Sequence, residues 1–260
     1  MNDKCGLVIT TYNTESWFSQ LYNSIPFEEL DECVVVNGGK PYKKSYTSHT
    51  AWIQHTNNVH SHQSRIDGIQ VLLGRGCEHI FIVEDDMIIK DLDIFQRYMR
   101  ASKETGIKYL CFCSNADGNG QPFNRTPKQK IEYNSDILSF YGEMNNEFTY
   151  HHSSIFKEMG MYDISFQHLW DVEYVYRLLT SERFGCGFRY FPDVHDSDKY
   201  IMNNPESINN SRINTDNTRD KELSKYFQQF HDRHGHHIQS IPIWSEERFK
   251  SKLKQLYKIK

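Results

Sequence analysis

The chain has 260 residues, enough for one large domain or two small ones with ample core, and its 14% aromatic share makes much of that core Phe and Tyr. No stretch approaches the ~18 apolar residues of a membrane span, and no charged-then-apolar export signal opens the chain, so it reads as soluble and cytoplasmic. The six cysteines (Cys5, Cys33, Cys77, Cys111, Cys113, Cys186) lack zinc-ligand spacing and sit mostly in apolar contexts, which fits a reducing compartment and excludes a disulfide scaffold. The net charge of −4 is unevenly spread: residues 218–260 hold ten Lys/Arg against five Asp/Glu, a +5 tail on a −9 body. Such a tail is a solvated helix face, or it contacts a phosphate backbone, an anionic membrane surface or an acidic partner.

In chain order, Gly6–Thr10 reads as a first strand and Thr14–Ser24 as a helix, with Trp17, Phe18, Leu21, Tyr22 and Ile25 at helical spacing before Pro26. Glu32–Val36 is a second strand closed by Asn37-Gly38-Gly39, and Ala51–His55 a third. Ser61–Leu73 is a helix with Ile66, Ile69, Leu72 and Leu73 on one face and Gly74 as its stop. His79–Val83 is a strand, Leu92–Glu104 a helix and Lys108–Ser114 a strand. Short β-branched runs alternating with helices predict an α/β layer fold with a mostly parallel central sheet. Beyond them, Ala116–Lys130 is a Gly- and Pro-containing loop, and Ile131–Tyr141 and Phe148–Phe156 are strands of a second, mixed layer. Leu169–Ser181 is a helix burying Val172, Val175, Tyr176 and Leu179, and Gly187–Phe191 a last short strand. Ser197–Thr218 is rich in Asn, Ser and Asp and is a candidate lid, followed by a helical C-terminal extension.

The segment with most chemistry is Phe81-Ile82-Val83-Glu84-Asp85-Asp86-Met87-Ile88-Ile89, three adjacent acids between two core-quality runs. Burying three like charges is costly unless a cation meets them. Oxygen ligands suit Mg2+ or Mn2+, which also bind phosphate oxygens. The alternative is a strand that ends in a solvated acidic turn. Ligands of open α/β sheets bind outside the carboxyl ends of the strands, where the Thr10-Thr11-Tyr12-Asn13 turn, the Asn37 turn and the acids all fall. Arg65, on the helix beside them, would pair with a diphosphate or with the acids themselves.

This order of motifs resembles the nucleotide-diphospho-sugar transferases of GT-A fold, especially glycosyltransferase family 2. The resemblance rests on Thr11-Tyr12-Asn13, Val34-Val35-Val36-Asn37-Gly38-Gly39, Asn57 with Ser64-Arg65-Ile66-Asp67-Gly68, Glu84-Asp85-Asp86, Trp170-Asp171-Val172-Glu173 with Arg177, and Phe191-Pro192-Asp193-Val194-His195. It covers residues 5–198. It implies a GT-A (Rossmann-like) catalytic domain over 1–198, with a nucleotide-sugar half (1–115) and an acceptor half (116–198). A lid at 199–217 and the basic helical extension at 218–260 complete the chain. By the same resemblance Thr11, Tyr12, Asn37, Arg65, Glu84 and Asp85 contact the donor. Asp86, the last acid of an Asp-x-Asp-type motif, holds Mn2+ or Mg2+ with His195. Asp171 is the catalytic base of an inverting enzyme, and Trp170 and His152 line the acceptor site. Asp171 also reads as a helix cap, and His195 and His152 as ordinary loop and strand residues. Three departures stand out: Asn37 replaces an acid, Glu84 replaces the first Asp, and Trp170 replaces the acid before the base.

The implied function is metal-dependent transfer of a hexosyl or pentosyl group from a nucleotide-diphosphate donor, UDP-sugar favoured, to a polysaccharide or other glycan. The alternatives are a phage-type transferase acting on hydroxymethylated bases in DNA, where tail lysines would meet phosphates, and a non-catalytic nucleotide-sugar or carbohydrate-binding module. The location is then cytoplasmic, peripheral at a membrane's inner face, or host cytoplasm for a viral protein. A sugar-phosphate nucleotidyltransferase would need a Gly-rich basic loop after the first strand. Thr10-Thr11-Tyr12-Asn13-Thr14 has neither glycine nor a basic residue.

Overall fold

The computed structural model describes residues 3–46, 48–113, 126–134, 136–143, 146–210 and 219–257, without the side chains of 208–210, 219–222 and 257. The first half alternates strand and helix: β1 (Cys5–Thr11), α1 (Glu15–Ser24), β2 (Glu32–Asn37), β3 (Ala51–Gln54), α2 (His60–Gly74), β4 (His79–Glu84), β5 (Met87–Ile89), α3 (Ile94–Thr105) and β6 (Tyr109–Cys111). The second half holds β7 (Gln129–Tyr133), β8 (Asp136–Tyr141), β9 (Phe148–His152), α4 (Ser153–Met159), α5 (Trp170–Thr180) and β10 (Phe191–Val194). β11 (Ile201–Asn203), α6 (Pro205–Asn210), α7 (Arg219–His234) and α8 (Glu246–Tyr257) follow. Among the described residues no helix is long and apolar enough to cross a membrane.

The main sheet has the order β3-β2-β1-β4-β9-β6. β1 pairs in parallel with β2 and β4, and β2 with β3, while β9 runs antiparallel between β4 and β6. All seven residues of β1 are buried, as expected of a central strand covered on both faces. α2 lies on β1 and β2. A Cβ on its Gly68 would stand 2.4 Å from Val8 Cγ1 and 3.3 Å from Val36 Cγ2, so only glycine allows this approach. Gly68→Val is expected to cost about 1–3 kcal/mol by overpacking, measured as a lower urea midpoint at unchanged m-value. α3 covers the neighbouring part of the sheet, setting Phe95 against Phe81 at 4.8 Å between ring centroids.

The second sheet is antiparallel, β10-β8-β7, and a two-stranded ladder joins β11 to β5. Several expected elements are corrected here. Ile131–Tyr141 is a hairpin, not one strand, because Asn134 (φ 49°) turns the chain so that Tyr133 pairs with Asp136. Phe148–Phe156 divides into β9 and α4, and β9 belongs to the main sheet; its Phe148, Thr149, Tyr150 and His151 are all buried, the mark of an interior strand. The strand expected at Gly187–Phe191 is Phe191–Val194 instead, because Gly187 (φ 104°) and Arg189 (φ 66°) are left-handed, and β11 follows it. α2 runs through Gly74, and Gly76 at φ 80° makes the turn.

α5 forms as expected, yet its buried residues are Glu173, Tyr174, Val175, Leu178 and Leu179, with Val172 and Tyr176 half-buried. Burial of Glu173 is tolerated because Arg177 Nε donates to it at 2.9 and 3.0 Å and His234 Nε2 lies 3.3 Å away. The segment read as a lid carries a 3-10 turn at Ser197–Lys199, then β11 and α6; Ile201 is fully buried against the β5 ladder. Residues 211–218 and most of the Ala116–Lys130 loop lie outside the described residues. The C-terminal helices dock by apolar edges: Phe230 of α7 meets Tyr176 at 5.1 Å, and Phe249 of α8 stacks on Tyr190 at 4.1 Å.

Candidate active site

Parallel pairing aligns the strand ends. Thr11 is opposite Asn37, Asn37 opposite Gln54, and Thr10 opposite Glu84. Residues up to 74 positions apart in sequence thus meet along one sheet edge, with about 4.8 Å between strands. The fifth member comes from β9. Val83 pairs with Phe148, and the Glu84 N–H donates to the Glu147 carbonyl at 2.8 Å, so Glu147 stands beside the acidic turn.

The first two turns are closed on themselves. Asp85 Oδ2 accepts from the hydroxyls of Thr11 and Thr14 and from the Tyr12 N–H at 3.3 Å. Thr11 gives its proton to Asp85, so the Tyr42 hydroxyl donates to Thr11 Oγ1 and accepts from the Thr14 N–H at 3.3 Å. Asn37 is fully buried; its amide donates to Lys40 O at 2.9 Å and Gln54 Oε1 at 3.1 Å, while its Oδ1 accepts from the Gly39 N–H at 2.8 Å. A Cβ on Gly39 would lie 2.6 Å from Asn13 Oδ1, which locks this turn against the first. Thr11, Asn37 and Asp85 Oδ2 thus hold these two turns together in this structure. Tyr12 beside them is 39% exposed.

Arg65 stands at the same edge. It is fully buried on α2, donates to Glu84 Oε1 and to Asn146 O at 2.7 Å, and lies 4.8 Å over the Trp170 ring. Of the two roles the sequence leaves open, it takes the pairing with the acids. Glu84 is correspondingly held by Arg65.

Asp86 is different. Its carbonyl accepts from the Asn204 N–H at 2.6 Å, but its carboxylate Oδ1 is buried with no hydrogen-bond partner. Burial, then the charges of Glu147, Glu84 and Asp85, push the Asp86 carboxyl well above its ordinary range. Burial and Glu84 likewise raise Glu147, against the hydrogen bond it accepts from Asn203 Nδ2. Asp85 is raised from 3.8 to about 6, by burial first, against the hydrogen bonds from Thr11 and Thr14. A crowd of carboxylates held in this way is what a bound cation relieves.

The sign of the pH dependence follows. Between pH 3.8 and about 6 the native Asp85 holds a proton that the unfolded chain has released, and Asp86 and Glu147 are shifted in the same direction. This stabilisation is present at low pH and lost as pH rises through the folded values. The metal-free protein is expected to lose stability from about pH 4 to about pH 7, and Asp86→Asn to flatten that slope in urea titrations at stepped pH.

No protein-family model matches the chain, and no curated protein sequence matches it. Among solved structures, S. aureus TarS 1-349 superposes with a TM-score of 0.59 at 13% identity, over 97% of this chain and 70% of that one. The mannosyltransferase PcManGT from Pyrobaculum calidifontis, in complex with GDP-Man and Mn2+, gives 0.54 at 10% identity, over 96% and 68%. GalNAc-T7 with UDP, GalNAc and Mn2+ gives 0.53 at 14% identity, over 74% and 42%. These neighbours are GT-A nucleotide-sugar glycosyltransferases. The chain has the GT-A fold.

In this GT-A chain α5 brings its N-terminus to the acidic edge. Trp170 lies under Arg65 and meets Tyr162 edge-on at 5.1 Å. Its ring is thus a platform for the guanidinium. The helix is capped at Leu169 without a side-chain hydrogen bond, so Asp171 does not serve as its cap.

His195 and His152 sit elsewhere in the GT-A scaffold. His195 Nδ1 is 2.9 Å from Ser139 Oγ and Nε2 3.4 Å from Asp196, partners that belong to the second sheet and its exit and not to the acids. His152 pairs with His79 at the opposite end of β4 from Glu84, about 16 Å away along the strand. Its Nδ1 accepts from the Ser154 N–H at 3.2 Å, making it the cap of α4, and burial first, then Lys108, push its pKa down to about 4. Sequence reasoning missed Glu147, Tyr42, Gln54 and Asn203, none of which stands in a motif.

Proposed function

We propose that this chain is a glycosyltransferase that moves a sugar from a nucleoside-diphosphate donor to an acceptor hydroxyl with the help of a divalent cation. The observation that carries the reading is the buried, unpartnered Asp86 Oδ1 amid Glu84, Asp85 and Glu147, at the aligned carboxyl ends of a GT-A sheet. Among the described residues no three His, Cys, Asp or Glu side chains form a ready metal cage. The fit is to an ion of another kind: Mg2+ or Mn2+ takes one or two protein carboxylates and completes its shell with phosphate oxygens and water. Asp86 would hold it, with Glu147 as the adjacent carboxylate, and it would supply Lewis-acid neutralisation of the leaving diphosphate. UDP and GDP-Man, each with Mn2+, are bound by two of the structural neighbours, which supports a nucleotide-sugar donor here, UDP-sugar first.

The chain's own groups supply the rest. The exposed Tyr12 ring offers a face to the nucleotide base. Arg65 holds Glu84 in place at the edge through their ion pair. Asp171 removes the proton from the acceptor hydroxyl as that oxygen attacks from the face opposite the leaving group, which inverts the anomeric centre.

Asp171→Asn is expected to leave donor binding unchanged and lower transfer by about 10²–10⁴-fold, read by calorimetry and product chromatography. A panel of nucleotide sugars with Mn2+, Mg2+ or chelator, offered glycan acceptors and hydroxymethylcytosine DNA, tests the whole reading. Absence of both donor binding and donor hydrolysis under every condition would refute it; transfer to the DNA alone would replace glycan by modified DNA as acceptor.

A further inference from the structure

Far from the acids, α8 and the carboxyl end of α5 enclose a cavity of about 320 Å3, within the size range of small-molecule sites. Arg248, Ser251 and Lys252 line it from one stripe of α8, together with Ser181 and Glu182 after α5 and with Trp244. Arg248 and Lys252 are four residues apart, so their like charges share a face and repel. Lys250 has Glu246 as an ion-pair partner, whereas among the described residues neither Arg248 nor Lys252 has a carboxylate within ion-pair distance.

These cations are not needed to cap α5. The Leu178 carbonyl already accepts from the Ser181 N–H at 3.3 Å and the Leu179 carbonyl from the Gly187 N–H at 2.9 Å. Nor is Trp244 open for stacking: one side packs on Gly187, where a Cβ would lie 2.8 Å from the ring, and the Arg248 guanidinium sits 4.1 Å from the ring centroid. That stacking fixes the planar fork of Arg248. Ser181 Oγ accepts from the N–H groups of Arg183 and Phe184 at 3.2 and 3.3 Å, which leaves its own hydrogen to donate.

A held guanidinium, an ammonium and hydroxyl donors around one cavity match a tetrahedral oxyanion. Glu182 on the wall adds an acceptor for ligand hydroxyls and disfavours a second dense charge. We propose that this groove binds the phosphate group of a phosphorylated sugar or polyol. Asp171 and Ser181 lie at opposite ends of α5, about 15 Å apart, so the groove and the proposed base are separate sites, and the phosphate site does not rest on the glycosyl-transfer reading.

The test uses full-length protein labelled with 5-fluorotryptophan, the Trp244 resonance being assigned with Trp244→Phe. Glucose 6-phosphate is titrated against glucose, and against sodium chloride at equal ionic strength. A saturable shift of the Trp244 signal with glucose 6-phosphate alone is expected, weakened at least about tenfold in Arg248→Ala/Lys252→Ala. Arg248 is exposed and Lys252 half-buried on α8, and Arg248→Gln/Lys252→Gln serves should the alanine pair misfold. No saturable shift, an equal shift from glucose or chloride, or an undiminished shift in both double variants overturns the proposal. Donor hydrolysis is expected to be unchanged in these variants. If hydrolysis is absent from the wild type too, the transfer reading fails while the titration still decides the groove.

Discussion

Asp86→Ala is expected to abolish divalent-dependent donor hydrolysis, by about 10²-fold or more, while making the metal-free protein more stable. The two effects share one cause. Asp86 is half-buried among Glu147, Glu84 and Asp85, and its buried Oδ1 has no hydrogen-bond partner to offset the crowding. Deleting the charge relieves repulsion in the resting protein and removes the oxygen that a cation and a diphosphate would use. A general folding defect lowers both stability and activity, so a rise in melting temperature together with lost hydrolysis cannot be mistaken for one. Asp86→Asn keeps the shape and should behave the same way. Full Mn2+-dependent hydrolysis in either variant would show that the cation, and with it the proposed chemistry, is held elsewhere.

Arg65→Met is expected to be the most destabilising change in the site, by about 3 kcal/mol. Arg65 is wholly buried and its partner Glu84 is 33% exposed, so removing the guanidinium leaves a partly desolvated carboxylate beside three other acids. The partial exposure of Glu84 puts the cost at the low end of the range for broken buried pairs. Trp170 loses the cation above its ring as well, worth about 0.5–2 kcal/mol. Adding Glu84→Gln to Arg65→Met should recover most of the loss, because no charge is then stranded. Urea unfolding of the two single variants and the double gives the coupling energy, expected at about 2 kcal/mol. A coupling near zero would mean that Arg65 stabilises the fold by packing and not by its charge.

The lesson of the site is division of labour along one sheet edge. Asp85, Thr11, Thr14 and Tyr42 lock the first turn, Asn37 and Gln54 lock the second, and Arg65 restrains Glu84. Asp86 is the acid that this scaffolding leaves over. The strap from β11 closes the arrangement, with Asn204 on the Asp86 carbonyl and Asn203 on Glu147.

Much of this was readable in the residues alone. Continuous β-branched runs named β1, β2 and β4, helical spacing named α1, α2, α3 and α5, and the alternation of the two predicted a mostly parallel sheet, because side-chain period is a local property. The placing of the acids at a strand end followed from the same pattern. What the linear order withheld was pairing and register. Glu147 reaches Asp86 because β9 inserts antiparallel beside β4, and the same register carries His152 to the far end of that strand. Asn37 turned inward because Gln54, 17 residues later, arrived to receive its amide. A hydrogen-bond partner brought from another strand decides whether a polar side chain frames a site or faces it. That choice is made only when the sheet closes.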